Sequence, residues 1–185
     1  MTDFDDLLAT LKKTAAALRD AEVPFLLGGG LAAWARGGPE TEHDLDLMVA
    51  PGDAESALRT LQEAGFRGEE PPEDWLYKAW DGDILVDLIF NPSGGQIDGA
   101  MFERAEELEV QAVRMLVMSL EDVMVTKLLS LREHEVDYES VLEIARALRE
   151  QIDWDDVRQR TQQSPYARAF FFLADELGIV TARAS

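Results

Sequence analysis

Residues 26–49, LLGGGLAAWARGGPETEHDLDLMV, constrain the fold of this chain more than any other stretch. Gly28, Gly29 and Gly30 follow an apolar run at 23–27 that is typical of a short buried strand. Glycines permit a sharp turn and let backbone N–H groups approach a ligand closely. The next residues, LAAWAR, predict the first turns of a helix whose positive N-terminal end faces the same place. The stretch therefore predicts a strand, a turn and a helix around a cradle for phosphate.

A second strand is predicted at 44–49, DLDLMV, after a polar loop. Because residues two apart in a strand share a face, Asp44 and Asp46 project to one side, and Leu45 and Leu47 enter the core. Neighbouring carboxylates repel each other, which indicates a bound cation, and Mg²⁺ suits such oxygens and completes its shell with phosphates and water. Together with the glycine turn, this strand predicts nucleoside triphosphate chemistry. The alternative is an exposed edge strand with solvated aspartates.

The pattern GGG…DLDL resembles the signature of polymerase-β-type nucleotidyltransferases, and most of all the minimal enzymes of the AbiEii/MenT toxin group. The resemblance implies an α/β (α+β) nucleotidyltransferase fold: a small mixed, twisted sheet flanked by helices, with a helical C-terminal part. It also implies an NTP as substrate and Mg²⁺ (or Mn²⁺) as cofactor, held by Asp44 and Asp46. The chain departs from the commonest pattern in having Gly rather than Ser after the glycine turn, which removes a hydroxyl.

Asp87 is the one charged residue in ILVDLIF, residues 84–90. A carboxylate flanked by apolar residues needs a partner or a metal. In the resembled superfamily a third aspartate lies on a strand paired beside the Asp-x-Asp strand, which implies that Asp87 completes the metal site and helps deprotonate the acceptor. The alternative is an aspartate facing solvent at a half-exposed position.

A weaker pattern lies in KLLSLREHEVDYESV, where Lys127, Arg132 and Asp137 resemble the Lys…Arg…Asp pattern of AbiEii/MenT-like enzymes. The resemblance implies that Lys127 contacts the nucleotide phosphates and that Asp137 is a further site residue. The compact cation of a lysine suits a triphosphate. The alternative is a solvated helix face, with Asp137 capping the next helix.

Two histidines and three aromatic residues are further candidates. His43 and His134 are isolated, and we predict no role for either. Trp75, Tyr77 and Trp80 can stack a nucleobase, although core packing is the favoured interpretation for at least two of them.

Hydrophobic periodicity predicts the remaining elements. A nucleotidyltransferase core is expected over residues 1–118 and a helical C-terminal extension over 119–185, packed as one unit. The predicted strands lie at 23–27, 44–49, 75–80, 84–90 and 110–118, with loops at 66–72 and 91–99. The predicted helices lie at 3–20, 51–64, 100–108, 138–149, 154–161 and 165–177, with one more that begins at Ser119.

Amino-acid composition limits the cellular compartment and the binding partners expected for this protein. Cysteine is absent, which excludes disulfides and thiolate chemistry. No apolar stretch is long enough to span a bilayer, and the acidic start lacks the order of a secretion signal, so a cytoplasmic protein is expected. The net charge is −20, from 17 Lys and Arg against 37 Asp and Glu. Nucleic-acid binders usually carry a basic footprint, so the acidity disfavours an RNA or DNA acceptor and suits a basic protein partner or a cationic small molecule. A solubility effect is the other interpretation.

These observations predict a metal-dependent nucleotidyltransferase that moves an NMP from an NTP to an unidentified acceptor, which is a tRNA, a protein or a small molecule. Two alternatives stay open. One is a toxin-type enzyme that modifies tRNA 3′ ends, with an antitoxin as partner, which the acidity disfavours. The other is an inactive nucleotide-binding or regulatory module, which the presence of all three aspartates disfavours.

Overall fold

The computed structural model describes residues 4–41, 44–93, 95, 97–132 and 136–180, and over these ranges the chain forms one seven-stranded sheet and eight α-helices. The strands are β1 (Leu26–Leu27), β2 (Leu45–Met48), β3 (Arg67–Glu69), β4 (Leu76–Asp81), β5 (Ile84–Ile89), β6 (Glu106–Val110) and β7 (Val113–Val117). The helices are α1 (Phe4–Asp20), α2 (Gly29–Trp34), α3 (Ala54–Glu63), α4 (Gly99–Arg104), α5 (Leu120–Ser130), α6 (Glu139–Leu148), α7 (Trp154–Thr161) and α8 (Pro165–Glu176).

The sheet is mixed, with the strand order β3-β4-β5-β2-β1-β7-β6. The pairs β2–β5 and β1–β7 are parallel, and all other neighbouring pairs are antiparallel. The predicted mixed sheet flanked by helices is confirmed. The topology places β2, with the Asp-x-Asp motif, near the centre of the sheet and directly beside β5.

Helices α1 and α3 pack together against one face of the sheet. Leu11 and Leu18 of α1 are fully buried in the same apolar cluster as Leu45 and Leu47 of β2. The predicted alternation along β2 is therefore confirmed, since these leucines enter the core and Asp46 between them stays half-buried on the other face.

None of the described helices combines the length and the apolar composition needed to cross a membrane.

The C-terminal helices pack around α5 in a second apolar cluster. Ion pairs around one buried carboxylate tie α5 to its neighbours. Asp122 is fully buried and accepts two hydrogen bonds of 3.0 Å from Arg104, one of 2.9 Å from the Ser119 hydroxyl, and a further bond from Arg160. Burial alone would raise the pKa of Asp122, but the bonds from Arg104 and Arg160 hold it below its ordinary value. Asp122 is thus a charged anchor between α4, α5 and α7.

Several predicted boundaries agree with the structure. Ser119 caps α5 by accepting the backbone N–H of Asp122 at 3.1 Å, as predicted. Helix α7 has the predicted limits, and α3 ends before Gly65, which adopts a φ of +93°. Two strands are shorter than predicted: β1 has only two residues and β2 only four.

The predicted helix at 100–108 is wrong in its second half. Helix α4 ends at Arg104, and the acidic segment that follows is strand β6, paired antiparallel with β7. Gln111 and Ala112 join the two strands with φ of +52° and +62°. A two-residue turn with both φ values positive matches the twist of a hairpin, but it usually carries Asn or Gly. Pairing with β7 therefore overrides the helical propensity of the glutamates. Because the turn carries neither Asn nor Gly, the sequence gives no signal for a hairpin at this position.

Both edges of the sheet were missed by the sequence patterns. The predicted loop at 66–72 contains β3, which pairs with β4 at one edge. Strand β6 forms the other edge and exposes three glutamates, Glu106, Glu107 and Glu109. Short polar strands of this kind lack the apolar alternation by which a strand is predicted.

Candidate active site

Asp46 and Asp87 occupy paired positions on neighbouring strands. In the parallel register of β2 and β5, Asp46 lies beside Asp87, so both carboxylates are on the same face of the sheet. Asp44 is exposed and precedes β2, which begins at Leu45 rather than at residue 44 as predicted. Pairing of β2 with β5 therefore brings together two aspartates that are far apart in sequence, and Asp44 lies two residues before Asp46.

Burial and mutual repulsion make both carboxylates weak acids. Burial raises the pKa of Asp46 to about 6, with the charge of Asp44 adding to the shift and Lys127 opposing it. Burial also raises the pKa of Asp87 to about 7, reinforced by Asp46 and Asp44 and opposed by Lys78. The aspartates thus form one coupled electrostatic unit in which adding a cation or a proton relieves repulsion.

One oxygen of this unit lacks a partner. Asp87 Oδ1 is buried and has no hydrogen-bond partner among the described residues, although a buried carboxylate oxygen normally requires a donor or a cation. Over the same part of the chain, no group of three or more His, Cys, Asp or Glu side chains is gathered into a ready-made metal site. Hard carboxylate oxygens fit Mg²⁺ or Mn²⁺ by their chemistry and charge. The three aspartates are therefore suited to a divalent cation but are not preassembled around one.

The glycine turn packs directly against Asp46. The N–H of Gly28 donates to the carbonyl of Asp46 at 2.9 Å. Gly29 has a φ of +55°, and a Cβ atom placed on it would lie 1.7 Å from Asp46 Oδ2. A Cβ on Gly30 would lie 2.9 Å from Thr41. Only glycine therefore allows the backbone at position 29 to lie against the Asp46 carboxylate.

The glycines also differ from the prediction. Helix α2 begins at Gly29 rather than at Leu31, so Gly29 and Gly30 form its first turn. The N–H of Gly28 is engaged with β2, so it does not serve a phosphate in this arrangement. Of the three glycines, Gly29 is the one that lines the cleft described next.

A cleft of about 840 Å³ opens next to Asp46. It runs between the sheet, the loop before β4, the loop after β5, and the facing parts of α5 and α6. Its lining residues are Gly29, Asp46, Met48, Glu73, Asp74, Trp75, Ile89, Asn91, Pro92, Ser93, Thr126, Lys127, Ser130, Leu131, Arg132, Asp137, Ser140 and Val141. Asp44 and Asp87 do not line it, so Asp46 is the member of the triad that contacts the cleft.

Lys127 and Asp137 both line this cleft, as the weaker pattern predicts for site residues. Lys127 is half-buried on α5, and its charge reaches Asp46 strongly enough to oppose the rise in the pKa of that carboxyl. Asp137 is exposed, and its Oδ1 accepts the backbone N–H of Glu139 at 2.9 Å at the start of α6. Asp137 therefore satisfies an N–H of the first turn of α6 from just before the N-cap residue, Tyr138, and also lines the cleft.

The three aromatic candidates separate. Trp75 lines the cleft and is 38% exposed. Tyr77 packs against Phe90 with ring centroids 5.0 Å apart, and Trp80 lies under the guanidinium of Arg67 at 5.2 Å. Trp75 alone of the three is placed to meet a ligand.

Lys78 was missed by the sequence reasoning. It lies directly opposite Asp87 in the antiparallel β4–β5 pair. The sequence did contain a signal for this position. The hairpin turn at Gly82 fixes the register of β4 against β5, and that register places Lys78 opposite Asp87. His43 and His134 lie outside the described residues.

Solved structures share this fold. The solution structure of the antibiotic-resistance factor ANT(2″)-Ia is similar over 95% of this chain and 98% of its own, with a TM-score of 0.67 and 17% identity. The crystal structure of ANT(2″)-Ia in complex with adenylyl-2″-tobramycin is similar over 90% of this chain and 97% of its own (TM-score 0.63, 19% identity). The lincosamide antibiotic adenylyltransferase LnuA, bound to lincomycin, is similar over 82% of this chain and 96% of its own (TM-score 0.52, 13% identity). At these identities the likeness shows the fold.

No curated protein sequence matches the chain. The resemblance to the AbiEii/MenT toxin group stays a prediction, whereas the broader expectation of a nucleotidyltransferase is confirmed by a family model. That model, described as uncharacterised nucleotidyltransferase, matches residues 5–175, so the chain belongs to this family of nucleotidyltransferase enzymes.

Proposed function

We propose that this chain transfers a nucleoside monophosphate from an NTP to an acceptor hydroxyl, releases pyrophosphate, and depends on Mg²⁺ or Mn²⁺ for the reaction. The observation that carries the proposal is the pairing of Asp46 with Asp87 on adjacent parallel strands, with the Gly29 backbone against Asp46 at the wall of the cleft. This arrangement concentrates negative charge where a cation and phosphates can offset it.

Asp44, Asp46 and Asp87 would hold the divalent cation. When bound, divalent ions stabilise the attacking and leaving oxygens of an in-line displacement at phosphorus. The unpartnered Oδ1 of Asp87 and the raised pKa values of Asp46 and Asp87 support this assignment, because the nearby lysines compensate the negative charge of these carboxylates only in part.

The other roles fall to side chains at or behind the cleft wall. Asp87, paired with Asp46 behind the cleft wall, would help to deprotonate the acceptor hydroxyl. Lys127 would bind the phosphates and offset the charge that develops on them in the transition state. Gly29 would let the nucleotide approach Asp46 without a side chain between them.

The solved neighbours agree with an NTP substrate. ANT(2″)-Ia binds adenylyl-2″-tobramycin in its crystal structure, and LnuA is a lincosamide antibiotic adenylyltransferase. The same fold in this chain supports a nucleotide donor and a small-molecule acceptor. A tRNA acceptor is less well supported, because a net charge of −20 opposes phosphate-backbone binding.

The first prediction concerns the metal. Titration calorimetry with ATP, GTP, CTP and UTP is expected to show NTP binding with Mg²⁺ or Mn²⁺ and to lose it in EDTA, because the aspartates repel an uncompensated triphosphate. When tRNA, total protein and small-molecule acceptors are added in turn, release of pyrophosphate should follow the same dependence, which separates an enzyme from an inactive nucleotide-binding module. Equal affinity for any NTP with and without metal would contradict the proposal.

The second prediction concerns Lys127. Lys127→Ala is expected to weaken NTP binding by about 1.5–3 kcal/mol, the range for hydrogen bonds to charged groups. Lys12→Ala is a matched control, since Lys12 is an exposed lysine on α1 and does not line the cleft. Calorimetry on both variants measures the difference. If both variants lose affinity equally, the effect is one of net charge and Lys127 has no direct role.

A further inference from the structure

The lining of the cleft divides into segments of different charge. The C-terminal end of α5 and the residues after it contribute the two basic side chains of the lining, Lys127 and Arg132. The loop before β4 contributes Glu73, Asp74 and Trp75, all exposed. A triphosphate is attracted to the first segment and repelled by the second. The loop before β4 is therefore better suited to bind the acceptor than the triphosphate.

Trp75 gives this loop a defined surface. Its carbonyl accepts the backbone N–H groups of Phe90 at 3.0 Å and Asn91 at 3.1 Å, so the main chain at Trp75 is fixed to the end of β5. The indole nevertheless remains 38% exposed at the cleft. An indole face attracts cations through its quadrupole, and flanking carboxylates strengthen that attraction.

We propose that the segment Glu73–Trp75 binds the acceptor, and that the acceptor is a hydroxylated small molecule bearing amino groups that are protonated at neutral pH. This inference rests on the proposed function and names its substrate class. Two carboxylates and an exposed indole favour a cation over a neutral sugar, and the carboxylates repel the phosphate backbone of RNA. The overall charge of −20 acts in the same direction, because it raises the local concentration of cations.

The volume of the cleft agrees with a small acceptor. At about 840 Å³ it lies within the range of roughly 300–1,000 Å³ that is usual for small-molecule sites.

In the reaction, the acceptor oxygen forms a bond to the α-phosphorus of the NTP as the bond from that phosphorus to the β-phosphate oxygen breaks. Pyrophosphate leaves, and the hydroxyl proton is released to solvent. The product is a phosphodiester of the acceptor with the NMP.

The test compares three probes in calorimetric titrations of the full chain with Mg²⁺: kanamycin as a hydroxylated polyamine, raffinose as a neutral sugar, and bulk tRNA. Kanamycin is expected to bind at least about tenfold more tightly than raffinose, and its affinity should fall as salt is raised. The double variant Glu73→Gln/Asp74→Asn is expected to weaken kanamycin binding about tenfold, and Trp75→Ala about threefold or more. NTP affinity should not fall in the double variant.

The matched control is Glu69→Gln/Glu70→Gln, which removes the same charge from neighbouring exposed residues outside the cleft. If control and test variants weaken kanamycin binding equally, or if raffinose or tRNA binds as well as kanamycin, the inference is overturned. Metal-dependent NTP binding and pyrophosphate release, measured on the same samples, test the proposed function separately. Their persistence without a preference for kanamycin overturns this inference alone. Kanamycin binding at Glu73–Trp75 without any metal-dependent use of NTP overturns the proposed function instead, and with it the assignment of the segment to an acceptor.

Discussion

Asp87→Asn is expected to lower nucleotide transfer by about 10²- to 10⁴-fold, the range for a positioned proton acceptor, and yet to stabilise the metal-free protein. Asp46→Asn should behave in the same way. At about 4 Å and an effective dielectric near 20, two carboxylates oppose folding by up to about 4 kcal/mol before relaxation and screening. Asparagine has nearly the same shape and no charge, so it removes both the repulsion and the catalytic group.

The stabilisation should depend on pH in a defined direction. In the folded protein the pKa of Asp46 is raised to about 6 and that of Asp87 to about 7, both above the ordinary value of 3.8. Well below pH 3.8 the carboxyls are protonated in the folded and unfolded states alike, and they contribute no pH dependence. As the pH rises towards 7, the unfolded chain ionises first, so the fold loses stability across this window. The gain in the free energy of unfolding of Asp87→Asn over the parent should therefore be small near pH 4 and reach its maximum by pH 8.

Thermal melts of parent and variants in EDTA at pH 4.5 and pH 8 measure this advantage. Asp83→Asn is the matched control, because Asp83 is exposed at the turn of the same hairpin and should show no such pH-dependent gain. If Asp87→Asn melts well below the parent at pH 8, Asp87 is held by a structural partner that the substitution leaves unpaired. Asp87 would then have to be removed from the proposed site.

Gly29→Ala is the second substitution with a large expected effect. Alanine at a φ of +55° is strained by about 1–2 kcal/mol, and its Cβ would fall 1.7 Å from Asp46 Oδ2. The carboxylate must move, and a displacement of about 1 Å at a reacting group can lower the rate about 10²-fold. We therefore expect a lower melting temperature together with a loss of transfer of at least that size.

Gly37→Ala separates strain from displacement. Gly37 has a φ of +92°, and a Cβ there would meet nothing within 4 Å, so alanine brings backbone strain without a clash. Gly37→Ala should lower the melting temperature and retain transfer, and assays of pyrophosphate release on both variants test the contrast. Full activity in Gly29→Ala would show that contact between Gly29 and Asp46 is not required.

The positions of Asp46 and Asp87 on neighbouring strands could be predicted from the sequence. Alternation of apolar and acidic residues predicts which side chains of β2 enter the core, and the burial of Leu45 and Leu47 agrees with it. The resemblance adds the expectation that Asp87 lies on a strand beside the Asp-x-Asp strand, and β5 has that position in the sheet. The approach of Lys127 to Asp46 could not be derived from periodicity, because it depends on how α5 packs back against the sheet.

Prediction from sequence fails where tertiary pairing opposes local propensity. The segment Glu106–Val110 has the composition of a helix, and only its partner β7 makes it a strand. Gln111 and Ala112 turn the chain without Gly or Asn, so no local signal marks the hairpin. The cleft is equally hidden, because its lining comes from segments that are far apart in the chain.

The acidic edge strand β6 bears on how copies of this protein behave towards one another. A free edge offers unpaired backbone groups to any other strand and is a common route to aggregation. Two copies of β6 that paired edge to edge would align Glu106, Glu107 and Glu109 of one chain with the same residues of the other. Like charges placed opposite each other destabilise a strand pair. The glutamates that make β6 hard to predict as a strand therefore also protect the sheet from growing into a fibril at this edge.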